Sequence, residues 1–144
     1  MAADVSRTYI DSALVIYATD FRSPYFRRST AALSERRERG EVMLASEIII
    51  AEVLVTALKR GDQALERRTR LVLHSLRLVA VDRRVVETAA RLRADLNLKT
   101  PDAIHAATAL LYGCTTLLTN DRKLRLPSEA GVDTVLMDDL PEPS

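Results

Sequence analysis

The sequence predicts an α/β fold, a parallel sheet of four to five strands flanked by helices. Two observations carry this reading. Short, β-branched apolar runs alternate along the chain with longer stretches of helical periodicity, the pattern of strand–helix–strand units. Each apolar run is also brief, as a strand buried on both faces is.

The strands expected are Thr8–Ile10, Val42–Ala45, Leu78–Val81, Thr115–Leu118 and Val132–Leu136. Ser23-Pro24 opens the first expected helix, proline being pre-set for a first turn, and Gly40 closes it. Ser46 is placed to cap the next, in which Ile49, Val53 and Ala57 recur at helical spacing. Gly61-Asp62 reads as a stop followed by a new cap, so Ser46–Arg60 and Gln63–Ser75 form a helical hairpin. Val86, Ala89, Ala90 and Leu92 make Arg83–Asn97 periodic. Thr100-Pro101 opens Pro101–Tyr112, which Gly113 ends. The span of 144 residues suits one domain, 1–144, with residues 136–144 expected to fray as a polar, proline-bearing tail.

Apolar residues make up 47% of the chain and Gly and Pro are scarce, which excludes a disordered or fibrous class. Cys114 is the one cysteine, so no internal disulfide forms, in keeping with a reducing cytoplasm. No apolar run approaches the ~20 residues that span a bilayer, so a cytoplasmic protein without membrane contact is expected. The net charge of +1 does not by itself announce nucleic acid. Arginine far outnumbers lysine, which is confined to Lys59, Lys99 and Lys123, a bias that GC-rich coding explains more readily than phosphate binding.

In an open parallel sheet, ligands bind beyond the carboxyl ends of the strands, where strand order reverses. Four acids fall at such places. Asp11 directly follows the first strand, Asp121 follows Thr115–Leu118 after Thr119 and Asn120, Asp102 sits in a first helical turn, and Glu52 interrupts the apolar stretch IIIAEVLV. A buried carboxylate needs a cation, though a helix that turns Glu52 to solvent explains it equally well. Asp102 alone is accounted for by the helix macrodipole. Together the four converge on one end of the sheet. Hard oxygen donors without a His/Cys cluster suit Mg²⁺ or Mn²⁺, and such a set suits phosphodiester hydrolysis.

The segments TYIDSALVIY, SEIIIAEVL, TPDAIHAATAL and TTLLTNDRKL, in that order, resemble the PIN-domain nucleases, and among them VapC-type toxins of prokaryotic toxin–antitoxin pairs. The resemblance runs from Thr8 to Leu136 and implies a PIN-like three-layer fold. By position it places the family's acids on Asp11, Glu52, Asp102 and Asp121. It implies Mg²⁺ (or Mn²⁺) at Asp11, Asp102 and Asp121, with Glu52 completing the catalytic set and Ser12, Thr119 and Asn120 holding the acids in place. It further implies an RNA substrate, a cognate antitoxin and a homodimer. Two positions depart from the family pattern: Ala13 stands where many relatives have Asn, and Leu124 where many have Phe.

Other residues carry less. His105, three residues after Asp102, is placed to meet a phosphate or the pocket but reads more readily as a packed helix histidine, and His74 reads as structural. Cys114 has no partner arrangement for nucleophilic chemistry. The arginine clusters read mostly as solvated helix faces. A dehalogenase-type phosphatase would need an acid where Ala13 stands, and a response-regulator receiver would need paired early acids that are missing. The remaining alternatives are an RNA-processing PIN nuclease without an antitoxin and a PIN-like binding module without catalysis.

Overall fold

The structure, a computed structural model, describes residues 5–143. Five parallel strands, β1 (Arg7–Ile10), β2 (Val42–Ser46), β3 (Arg77–Val79), β4 (Thr116–Thr119) and β5 (Asp133–Leu136), form one sheet in the order β3-β2-β1-β4-β5. Between them lie α1 (Ser12–Thr19), α2 (Phe26–Glu38), α3 (Ile48–Arg60), α4 (Gln63–His74), α5 (Arg83–Leu96) and α6 (Thr100–Leu111). The chain steps outward from β1 to β2 and β3, then returns to β4 on the other side of β1. Right-handed crossovers therefore put α1–α4 on one face and α5–α6 on the other. The packing agrees: α1 touches α2, α3 and α4, while α5 pairs with α6. The result is the three-layer α/β architecture expected.

β1 and β4 are the most enclosed strands. Tyr9, Ile10, Leu117 and Leu118 have no exposed surface, and each such side chain contributes roughly 1.5–3 kcal/mol by leaving water. β2 runs one residue beyond expectation because Ser46 still pairs with Val79. Ser46 is therefore the end of a strand, and Glu47 is the residue before α3. The Ser46 hydroxyl nonetheless accepts the Ile48 N–H, at 3.3 Å. Asp62 caps α4 as expected, through its carboxylate and the Leu65 N–H, and Gly61 ends α3 in the left-handed conformation that glycine adopts without strain. Thr100 is the first residue of α6, after Lys99, and Pro101 lies in the first turn.

Two features differ from the sequence pattern. α1 is a helix that the pattern does not mark, since SALVIYAT is apolar nearly all round. The second lies in the segment expected to fray, which makes contacts as far as residue 143 although most of it past Met137 is exposed. Met137 is fully buried in a short 3-10 turn (Met137–Asp139), and the Tyr25 hydroxyl donates to Asp138 at 2.5 Å. Arg28 pairs with Glu142 at 3.2 Å, and Arg27 donates to the Pro143 carbonyl at 3.2 Å. Among the described residues no helix is long and apolar enough to cross a membrane.

Candidate functional site

Strand order reverses at β1, so the crevice beyond its carboxyl end is where a ligand site is expected. Asp11 stands there. Register pairs Ile10 with Leu118, and the Asp11 N–H continues the ladder to the Leu118 carbonyl at 3.0 Å, which brings Asp11 beside Thr119. The Thr119 hydroxyl donates to Asp11 Oδ2 at 2.6 Å, and the Ser12 N–H donates to Oδ1 at 2.8 Å. The same Thr119 hydroxyl accepts the Asp121 N–H at 3.0 Å. One threonine thus fixes the first acid and the chain that carries the last. Ser12 contributes its backbone rather than its hydroxyl. Asn120 turns away, its amide reaching the Tyr17 hydroxyl at 3.4 Å.

Glu52 leans inward from α3 to a histidine. His105 on α6 is only 1% exposed, and its Nε2 lies 2.6 Å from Glu52 Oε1 and 3.8 Å from Asp11 Oδ1. Its other nitrogen, Nδ1, lies 2.6 Å from the Tyr9 hydroxyl, which in turn accepts the Ser46 N–H at 2.9 Å. Burial pulls the His105 pKa down, but the Glu52 hydrogen bond and the charges of Asp11, Glu52 and Asp102 outweigh it, leaving the pKa above the ordinary histidine value. Burial above all, helped by the charges of Asp11 and Glu52, drives the Tyr9 pKa well above its ordinary value despite the opposing Ser46 N–H, so the hydroxyl keeps its proton. His105 is the residue that the sequence favoured as a packed helix histidine over one meeting the pocket, and Tyr9 drew no notice. Their signal was weak: Tyr9 precedes the first acid by two positions, and His105 follows Asp102 by three.

Asp102 and Asp121 line a common depression of about 600 Å³, with Lys99 and Lys123 beside them. Burial, then the charges of Asp121 and Asp11, hold the Asp102 carboxyl above the ordinary carboxylate range, with His105 opposing and Glu52 adding. Asp102 therefore senses the other three acids. The four do not form a closed cage, for among the described residues no group of three or more His, Cys, Asp or Glu stands ready to hold a metal ion. The chemistry of the set still fits a hard divalent cation. Its donors are carboxylate oxygens, and a cation would offset the charges of Asp121, Asp11 and Glu52 that, after burial, raise the Asp102 pKa.

Residues 8–129 match the PIN domain family. The chain belongs to that family. Among solved structures, this PIN domain is similar to a chain of a toxin–antitoxin complex from Klebsiella pneumoniae, with 26% identity and a TM-score of 0.69 over 90% of this chain and 97% of that one. It is also similar to a chain of VapBC2 from Rickettsia felis bound to a promoter DNA fragment, with 17% identity and a TM-score of 0.73 over 90% and 98%. A third likeness is to DNA-bound VapBC from Salmonella typhimurium, with 18% identity and a TM-score of 0.65 over 92% and 99%. No curated protein matches the chain in sequence.

Two surfaces of the PIN domain adjoin the acids through α3. On the side of α1 and α4, Glu52 lines a groove of about 580 Å³ shared with Phe21, Arg22, Arg60 and Arg68. Arg68 lies over the Phe21 ring, 4.8 Å from its centroid, and none of the three arginines is ion-paired among the described residues. On the opposite face of α3, Ile50, Val55 and Leu58 are exposed, and with Leu54 they line an apolar depression. Leu71 on α4 is 70% exposed. Away from the site, Cys114 is buried, which pushes its thiol pKa up to about 11 and leaves it inert.

Proposed function

We propose that this PIN domain is a divalent-metal-dependent endoribonuclease and the toxin half of a toxin–antitoxin pair. The observation that carries this reading is the placement of Asp11, which Thr119 fixes at the switch point of the sheet, with Asp102 close enough to feel the charges of Asp121, Asp11 and Glu52. Asp11, Asp102 and Asp121 would hold Mg²⁺ or Mn²⁺, with Glu52 completing the catalytic set. Such an ion, when bound, supplies a polarised water and neutralises charge on the phosphate. Thr119 and the Ser12 N–H hold Asp11 in one orientation, so its outer lone pairs point to a fixed place. Purified protein, freed of any partner, should cut single-stranded RNA in Mg²⁺ or Mn²⁺ and stop in EDTA. Cleavage that survives chelation removes the metal from the reading.

RNA needs cations to approach a nest of acids, and the groove beside Glu52 supplies them. Arg22, Arg60 and Arg68 offer guanidinium groups to phosphates, and Phe21, 65% exposed, offers a ring to a base. Substituting Arg60 and Arg68 together by Ala should raise KM and flatten its salt dependence, by about 0.7 in log–log slope for each phosphate no longer neutralised. An unchanged slope would place the RNA elsewhere.

The apolar face of the α3–α4 hairpin supports the antitoxin and homodimer readings. Leu58, Val55 and Ile50 line one apolar depression open to water, and Leu71 on α4 is exposed as well. The toxin–antitoxin complexes of similar fold are consistent with a partner there. Leu73, 7% exposed, and half-buried Leu65 belong to the packing between helices, so Leu58 and Leu71 are the positions that test the surface. Leu58→Lys with Leu71→Lys should leave the fold intact and abolish either dimer mass in light scattering or co-purification with a co-encoded DNA-binding protein. Loss of neither refutes the interface and leaves the nuclease reading standing.

A further inference from the structure

We propose that Tyr9 and His105 are positioning residues for Glu52, a buried relay that transmits the orientation of the β2 backbone to a carboxylate of the active site. The inference rests on the nuclease reading and adds to it two residues outside the acid set.

Glu52 has a choice. Its side chain turns about three flexible torsions, is 29% exposed, and lines the groove that holds Arg22, Arg60 and Arg68. A glutamate left to itself there has guanidinium groups to seek. It bonds none of them and turns instead to His105 Nε2. That nitrogen is itself immobilised, because the ring is buried and Nδ1 meets the Tyr9 hydroxyl. Tyr9 is immobilised in turn by full burial in β1 and by the Ser46 N–H at the end of β2. Residues 9, 46, 52 and 105 thus join β1, β2, α3 and α6, and the relay ends in rigid strand backbone. Metal sites are oriented by such outer partners, whose loss typically costs about 10–100-fold in affinity or activity.

A purely structural role for the pair is the competing explanation, and a double-mutant cycle separates the two. Tyr9→Phe keeps the ring and removes only the hydroxyl. It should lower kcat on single-stranded RNA and Mn²⁺ affinity about tenfold while leaving KM for RNA unchanged. In a Glu52→Gln background the same change should have little further effect, since no carboxylate remains to be aimed. His105→Gln, whose amide N–H can stand near the place of Nε2, should retain more activity than His105→Asn.

A readout independent of activity comes from the metal-free protein. The chain has two histidines, and His74 is exposed, so ring N–H exchange is readily assigned. The His105 Nε2–H should exchange far more slowly than that of His74, and Tyr9→Phe should accelerate it. Additive losses in the cycle, or His105 exchange as fast as His74, overturn the proposal. If the parent protein cuts no RNA, the nuclease reading fails, while exchange still decides whether Tyr9 and His105 hold Glu52.

Discussion

Asp102→Asn should abolish RNA cleavage and at the same time make the metal-free protein no less stable than its parent. The two effects have one cause. Burial and the charges of Asp121, Asp11 and Glu52 raise the Asp102 pKa, so the ionised carboxylate is held at a cost in the folded state. Asparagine keeps the shape and removes that cost. It also removes a carboxylate from the set that would hold the ion, where charge stabilisation is worth several kcal/mol, or roughly a hundred- to ten-thousandfold in rate. Calorimetry in EDTA should therefore show an equal or higher Tm for the variant, and Mn²⁺ should raise the parent's Tm more than the variant's. A variant that cleaves RNA at the parental rate would move the site away from Asp102. One whose Tm falls sharply in EDTA would show that repulsion among the acids is not felt.

His105→Ala should be among the most destabilising single substitutions in the chain, at about 3–5 kcal/mol in urea denaturation. The ring is 1% exposed, so its removal leaves a cavity. It also strands the proton of the buried Tyr9 hydroxyl and frees Glu52, 29% exposed, to turn into the arginine groove. Against the roughly 5–15 kcal/mol typical of a domain, such a loss unfolds a measurable fraction at physiological temperature. From the sequence alone His105 reads as a packed helix histidine, which gives no sign of two polar partners. A cost below about 1 kcal/mol would mean that the polar chain through residue 105 reorganises freely.

That contrast shows what the sequence made legible. Strands of the parallel sheet stood out because they are short, apolar and bounded by turn residues, and the acids stood out because they follow those strands. The Gly61-Asp62 junction was readable for a local reason: glycine tolerates the left-handed turn, and an aspartate caps the helix three residues on. α1 was hidden because Leu14 and Val15 are buried while Ile16, also apolar, faces outward, so no polar face breaks the run from β1. Tyr9 and His105 were hidden for a different reason. They lie 96 residues apart, and only the approach of α6 to β1 makes them a pair. The contacts of the tail belong to the same class, its polar composition saying nothing of the arginines on α2 that meet it.

The seam between β1 and β4 joins Asp11 to a threonine 108 residues later. During synthesis, a ribosome that has delivered everything through α6 has already made Asp11, Glu52 and Asp102, and the whole α3–α4 hairpin with its apolar face. Asp11 at that moment has no Thr119 to hold it, and Asp102 has no Asp121 for a neighbour. Long-range parallel pairing is also the slow step of folding, because a large loop must close before the interactions that reward it can form. The exposed apolar face of α3 is thus made in the nascent chain before the crevice between β1 and β4 can close, so anything that binds that face has its target first.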